Sequence, residues 1–132
     1  MASKKTPKKI LWEKLLKLSK KIVYIRDEYK CQHCWKQDYK DYQASHVIPV
    51  SADRRLQYDI LNMKVMCYHC HLNWWHKNPL EAGKWFEDTF PERSEYLKEQ
   101  HKNNKWKWTI PIWWMEELYV KYEELYEKIK HN

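Results

Sequence analysis

The stretch Cys67–His76, CYHCHLNWWH, decides how the chain is read. It holds a Cys-x-x-Cys pair, a histidine directly after it and a second histidine five residues on. Another Cys-x-x-Cys, CQHC, stands upstream at Cys31 and Cys34, and the chain has only four cysteines. Four thiolates in two such pairs fit a closed tetrahedral Zn²⁺ site, which holds a small domain together. The 32 residues between Cys34 and Cys67 exceed the ~15–20 of a compact zinc ribbon and leave room for a β-hairpin. The stretch is therefore expected to do two jobs. It closes a structural zinc site, and it supplies ligands for a separate catalytic metal.

Residues 61–66, LNMKVM, read as a short strand running into Cys67. Residues 42–48, YQASHVI, alternate weakly and read as its partner, ended by Pro49. Residues 51–60, SADRRLQYDI, read as a polar connecting loop. A helix is expected from Tyr68 to about His76, stopped by Asn78-Pro79. On it, His71 projects about 100° away from Cys70, off the zinc and toward the hairpin. Residues five apart on an ideal α-helix diverge by about 140°, so His76 joins His71 on one ion only if the helix loosens before Pro79. The i, i+4 neighbour of His71 is Trp75, not a ligand. His33, inside CQHC, is expected to be an exposed spacer, because a four-cysteine site needs no fifth ligand. His69 is expected to be exposed as well, and His101 and His131 carry no assigned role.

Outward from this centre the chain reads as helical. Apolar residues at 10, 11, 15, 16, 18, 22, 23 and 25 predict an amphipathic helix from Ile10 to about Asp27. Residues 1–9, MASKKTPKK, read as a basic disordered arm. Residues 80–90 and 92–102 form two candidate helices, and 103–109 a loop. Residues 112–130 form a long helix whose apolar positions 114, 115, 118, 122, 125, 126 and 129 keep helical spacing. That stripe faces a core or a partner; base stacking is the minor reading. The domain division is 1–9 as arm and 10–132 as one domain, with a core at about 31–78 and a helical extension at 79–132.

The chain is about one domain long at 132 residues. Its single glycine and five prolines argue against a linker or a low-complexity segment. The net charge of +7 suggests a polyanionic partner, and it is unevenly placed. Residues 1–30 hold nine lysines and one arginine against Glu13, Asp27 and Glu28, so the whole excess sits in the first quarter. Lys17, Lys20 and Lys21 on the first helix read either as a solvated face or as a phosphate-binding face. No apolar run approaches the ~18 residues of a membrane span, and the basic N-terminus lacks a signal peptide's apolar centre. An intracellular, cytoplasmic protein is expected. Reduced thiols then favour metal ligation over disulfides.

The order CQHC at 31–34, ASHVIP at 44–49, LN at 61–62 and CYHCH at 67–71 resembles the HNH (ββα-metal) endonucleases, in the zinc-stapled branch. The resemblance covers about residues 24–80. The continuation WWHKNPLEAGKWFEDTFPE is similar to phage-encoded HNH proteins related to recombination nucleases of the NinG type, which implies a bacterial or phage origin. The fold class implied is α+β: a ββα-metal core with structural zinc, flanked by a basic N-terminal helix and C-terminal helices.

The function implied is metal-dependent hydrolysis of DNA phosphodiester bonds, leaving a 5′-phosphate and a 3′-hydroxyl. His46 matches the general base, Asn62 the asparagine that orients it or supports the metal, and His71 a ligand of the catalytic divalent metal, Mg²⁺ or Mn²⁺. Cys31, Cys34, Cys67 and Cys70 match the structural Zn²⁺ ligands. Ser45 departs from the pattern, because many members carry Asp or His there as a second metal ligand. His76, or an upstream acid such as Asp41, is then the candidate replacement. A histidine near its ordinary pKa suits a water-activating base. Arg54 and Arg55 are candidate phosphate clamps, and Lys77 a further phosphate contact. DNA is the expected partner, with a second copy of the chain as a candidate through the aromatic C-terminal helix. The alternative is a zinc-stapled DNA-binding module without catalysis; a purely protein-binding adaptor is disfavoured by the N-terminal charge.

Overall fold

The computed structural model describes residues 4–37, 42–106 and 109–131. Among them the chain is mostly helical, around one small two-stranded sheet. The first helix, α1, spans Pro7–Arg26. It starts three residues before the apolar pattern does. The Thr6 side chain accepts from the Lys9 amide at 3.2 Å, and Pro7 occupies the first turn, where its missing N–H costs nothing. Residues 7–9 of the expected arm are thus the first turn of a helix.

Strand β1 spans Gln43–His46 and β2 spans Met63–Met66. They pair antiparallel in the register Gln43↔Met66, Ala44↔Val65, Ser45↔Lys64, His46↔Met63. Both are shorter than their sequence signals. The residues between them are not a polar loop throughout: two 3₁₀ turns, Arg55–Tyr58 and Ile60–Asn62, bury Leu56, Gln57, Tyr58 and Asn62. Turns this short leave no helix or strand period in the sequence.

After Cys67 the chain forms a π-helical turn, His69–Trp75, in place of the expected α-helix. Helix α2 (Pro79–Thr89), α3 (Pro91–Lys102) and α4 (Ile112–Ile129) follow. Pro79 and Pro91 each sit in a first turn, so each proline starts a helix as well as ending the previous segment.

The two faces of the sheet are covered differently. Met63 and Val65 cluster with Val23 of α1. On the other face, Met66 clusters with Cys31, Cys67 and Cys70, against Trp74 and Trp75. The α4 stripe, Trp114, Met115, Leu118, Tyr122, Leu125, Tyr126 and Ile129, packs with Leu15 and Ile22 of α1. It is therefore covered within the chain. Burying a side chain such as Leu15 contributes about 1.5–3 kcal/mol, so this helix pair supplies a large share of the stability outside the metal region.

Arginine forks tie helices to the sheet. Arg26 donates to the carbonyls of Ile60 (2.5 Å) and Met63 (2.6 Å), and pairs with buried Asp27 at 2.8 Å. Asp27 Oδ2 in turn accepts from the Val65 amide. Arg93 of α3 donates to the carbonyls of Leu61 and Met63. These charge-assisted bonds satisfy the carbonyls of Ile60, Leu61 and Met63, where the 3₁₀ turn runs into β2. No described helix is long and apolar enough to cross a membrane.

Candidate metal centres and active-site groove

The four cysteine sulfurs come together. Every pair among Cys31, Cys34, Cys67 and Cys70 lies within 4.8 Å, and all but Cys34 are buried. The Cys34 and Cys67 sulfurs are 3.7 Å apart. Sulfurs held about 2.3 Å from a tetrahedral zinc stand about 3.8 Å apart, so the spacing fits the ion. The chemistry fits it too. Burial and the neighbouring sulfurs push the Cys70 thiol far up, so its thiolate persists here only beside a cation. The turn geometry comes from Trp35, whose left-handed φ of 66° lets the Cys31 amide donate to the Lys36 carbonyl. The Cys70 amide points at Cys67 Sγ, 3.4 Å away.

His33 is not an exposed spacer. Its Nδ1 lies 3.3 Å from Cys70 Sγ, and its ring stacks on Trp74 with centroids 3.7 Å apart and meets Trp85 edge-on. Burial holds its pKa below the ordinary value. A neutral ring with a proton on Nδ1 donates to a thiolate, the kind of outer contact that fixes a metal ligand.

His71 and His76 bring a second pair of nitrogen donors together. The His76 amide donates to the His71 carbonyl at 3.1 Å, the five-residue bond of a π turn. That wider turn brings residues five apart onto one side, and the two Nε2 atoms stand 2.8 Å apart. Donors about 2.1 Å from one ion and at right angles to it would be about 3 Å apart. The objection raised by α-helical geometry is thereby removed. His71 Nδ1 bonds the Gln43 side-chain oxygen, which places the proton on Nδ1 and turns the Nε2 lone pair toward His76. Burial, then the charges of His76, Lys64 and His46, push His71 down to about 4, so it is a neutral, ligand-ready imidazole at pH 7.

His46 ends β1. Its Nε2 lies 3.0 Å from the Gln57 carbonyl; with Nε2–H donating, Nδ1 is left as proton acceptor. Burial, opposed by that bond and reinforced by Lys20 and Lys64, holds its pKa below the ordinary histidine value. Asn62, fully buried, does not touch the ring. Its oxygen accepts from the Ile48 amide at 2.8 Å, and its Nδ2 lies 3.0 Å from the carbonyls of both Ile48 and Leu56. It clamps the chain just after His46 to the 3₁₀ turn whose next residue, Gln57, holds the ring.

Ser45 faces away from any ligand role. It is buried and accepts from Lys64 Nζ at 3.3 Å. The Lys64 nitrogen lies 3.3 Å from the Trp75 ring centroid, a cation–π geometry, and burial pulls its pKa well below the usual lysine range. The other candidate substitute, Asp41, lies outside the described residues.

His46, His71 and His76 open onto one groove of about 790 Å³, walled by Trp75, Phe86 and Leu97. The cationic candidates are dispersed. Lys77 is exposed directly after His76. Lys20 is close enough for its charge to bear on His46. Lys17 is exposed, and Lys21 lies 5.9 Å from the Tyr126 ring. Arg54 is exposed beside Lys8 and Lys9. Arg55 is committed elsewhere: its guanidinium donates to the Gln100 carbonyl at the end of α3 at 2.5 Å. His101, given no role from sequence, pairs with buried Asp53 at 3.0 Å.

Sequence reasoning missed Gln43, Gln57, Lys64 and the part played by His33. Period-two alternation puts Gln43 on the Ser45 face of β1, which is the one signal that could have found it. Nothing in the sequence distinguishes Gln57 or Lys64 from surface residues.

Residues 31–74, about a third of the chain, match the family model described as HNH endonuclease. The match spans both cysteine pairs, His46, Asn62 and His71, and with the four-cysteine cluster it points to a nuclease or a DNA-binding role. No curated protein and no solved structure matches the chain.

Proposed function

We propose that the chain is a metal-dependent DNA endonuclease. One observation carries the reading: His46, with its Nε2 occupied by a backbone carbonyl, shares a groove with a converging His71–His76 pair. Cys31, Cys34, Cys67 and Cys70 would hold a structural Zn²⁺. His71 and His76 would hold the catalytic ion, Mg²⁺ or Mn²⁺, which when bound supplies charge stabilisation at the leaving oxygen. His46 takes the proton of the attacking water at Nδ1. Asn62 acts through the backbone, keeping the His46 ring and its carbonyl partner in register. The apolar walls of the groove limit bulk water around the reacting phosphate.

The alternative is a zinc-stapled DNA-binding module without catalysis. It is favoured by Ser45, whose hydroxyl is taken by Lys64, and by the absence, among the described residues, of a third His, Cys, Asp or Glu completing a site with His71 and His76. A phage or bacterial origin in the NinG-type branch, and a role in recombination, belong to the proposal.

Plasmid cleavage with Mg²⁺, Mn²⁺, Ni²⁺ or Co²⁺ decides between the two. The wild type should cut with at least one ion. His46→Ala should lose at least about 100-fold in rate, the lower end for a general base, while keeping DNA affinity and zinc content. A wild type that cuts with none of these ions yet binds DNA with salt-sensitive affinity favours the binding module, and an equally active His46→Ala removes His46 as the base.

A further inference from the structure

A second cavity, of about 360 Å³, lies between the start of α1, the 3₁₀ turn Arg55–Tyr58 and the start of α4. Lys8, Lys9 and Arg54 line it, with Trp12, Gln57 and Tyr58. None of its lining residues is acidic, and among the described residues none of the three cations belongs to an ion pair. Three unneutralised charges around one concavity focus their field on an anion more than the same charges spread on a surface.

Gln57 joins this cavity to the candidate base. The Trp12 indole N–H donates to its side-chain oxygen at 2.9 Å. Its side-chain amide donates to the Arg54 carbonyl at 2.7 Å. Its own carbonyl meets His46 Nε2 at 3.0 Å. One buried residue thus bonds both an aromatic wall of the cavity and the histidine of the groove.

We propose that this cavity is a second phosphate subsite, taking a phosphodiester of the DNA strand away from the scissile bond. The subsite rests on the nuclease reading for its role in cleavage, though not for binding. It places one strand of DNA across the N-terminal end of α1 and the groove together, and makes Gln57 the positioning residue between them.

The test compares Lys8→Gln/Arg54→Gln with Lys121→Gln/Lys128→Gln, which removes two exposed charges from α4. Full-length protein is titrated with duplex DNA over a range of salt, and Trp12 is followed through its indole N–H resonance with a 5′-phosphorylated dinucleotide. The cavity variant should lower the slope of log K against log salt by about 0.9, the value of one phosphate contact. It should also abolish the Trp12 shift, and the α4 variant should do neither. In cleavage, the cavity variant should raise KM on long duplexes with kcat within twofold. An unchanged slope, an equal effect of the α4 variant, or a Trp12 shift that survives the substitutions would overturn the subsite. A wild type that never cuts but shows the slope change and the Trp12 shift would sink the nuclease reading and leave the subsite standing.

Discussion

At the scale of single residues, the site depends on where protons sit. His46 is held neutral by burial, and by Lys20 and Lys64 nearby. A base whose pKa lies below the ordinary ~6.5 is already unprotonated at pH 7 and loses function only as pH falls through its depressed value. The acid limb of the rate–pH profile should therefore have its midpoint below 6.5, and a limb at or above 6.5 would contradict the assignment. Asn62 acts by a different route. Asn62→Ala would strand the Ile48 amide and carbonyl, while the Leu56 carbonyl keeps its bond from the Asp59 amide, at about 1–3 kcal/mol for each group left unsatisfied. We expect a loss of about 2–4 kcal/mol in chemical denaturation and a fall in kcat. Asn62→Asp should retain only the bond from the Ile48 amide, since a carboxylate cannot donate to the two carbonyls.

Among the elements, the π turn His69–Trp75 decides whether there is a second metal centre. Its extra residue per turn closes the angle that an α-helix would open between His71 and His76. Inserting one alanine after exposed Asn73 should set the two histidines six residues apart, which diverge by about 120° on an α-helix, and swing His76 away. Divalent-ion affinity measured by calorimetry should then fall by about 10- to 100-fold, the range for a disturbed metal site, with the four-cysteine zinc retained. Unchanged affinity would mean that His76 is not a ligand. The aromatic α4 stripe shows the opposite case. Its helical spacing was fully legible, but only the packing shows that α1 of the same chain covers it.

For the whole molecule, the small sheet is held from two sides by different means. One face rests on α1 through Val23, Met63 and Val65. The other meets the cysteine cluster. Structural zinc in small domains supplies apparent binding energies of about 10–16 kcal/mol, comparable to the stability of a whole domain. Stripping the metal with a strong chelator should unfold the region around the sheet, seen as loss of near-ultraviolet dichroism. The α1–α4 pair should retain part of its helical signal. A chelated protein with an unaltered melting profile would show that the four thiols are not a structural metal site.

The sequence by itself determined the four-cysteine set, the order of helices and the histidine proposed as base. These follow from local rules: paired Cys-x-x-Cys spacing, helical periodicity in α1 and α4, and a histidine at the end of a short alternating strand. Tertiary structure alone decided the rest. The π turn is invisible to spacing rules built on the α-helix, so the meeting of His71 and His76 emerged only from the backbone bond between them. Ser45 and Lys64 satisfy each other across the strand pair, and the cross-strand register that joins them is written in neither residue. Arg55 reads as a phosphate clamp until the end of α3 comes within reach of its guanidinium. His33 reads as a spacer until Trp74 and Cys70 close over it. In the last three cases the outcome depends on a partner distant in the chain, and burial then decides whether a polar group stays free or is bound.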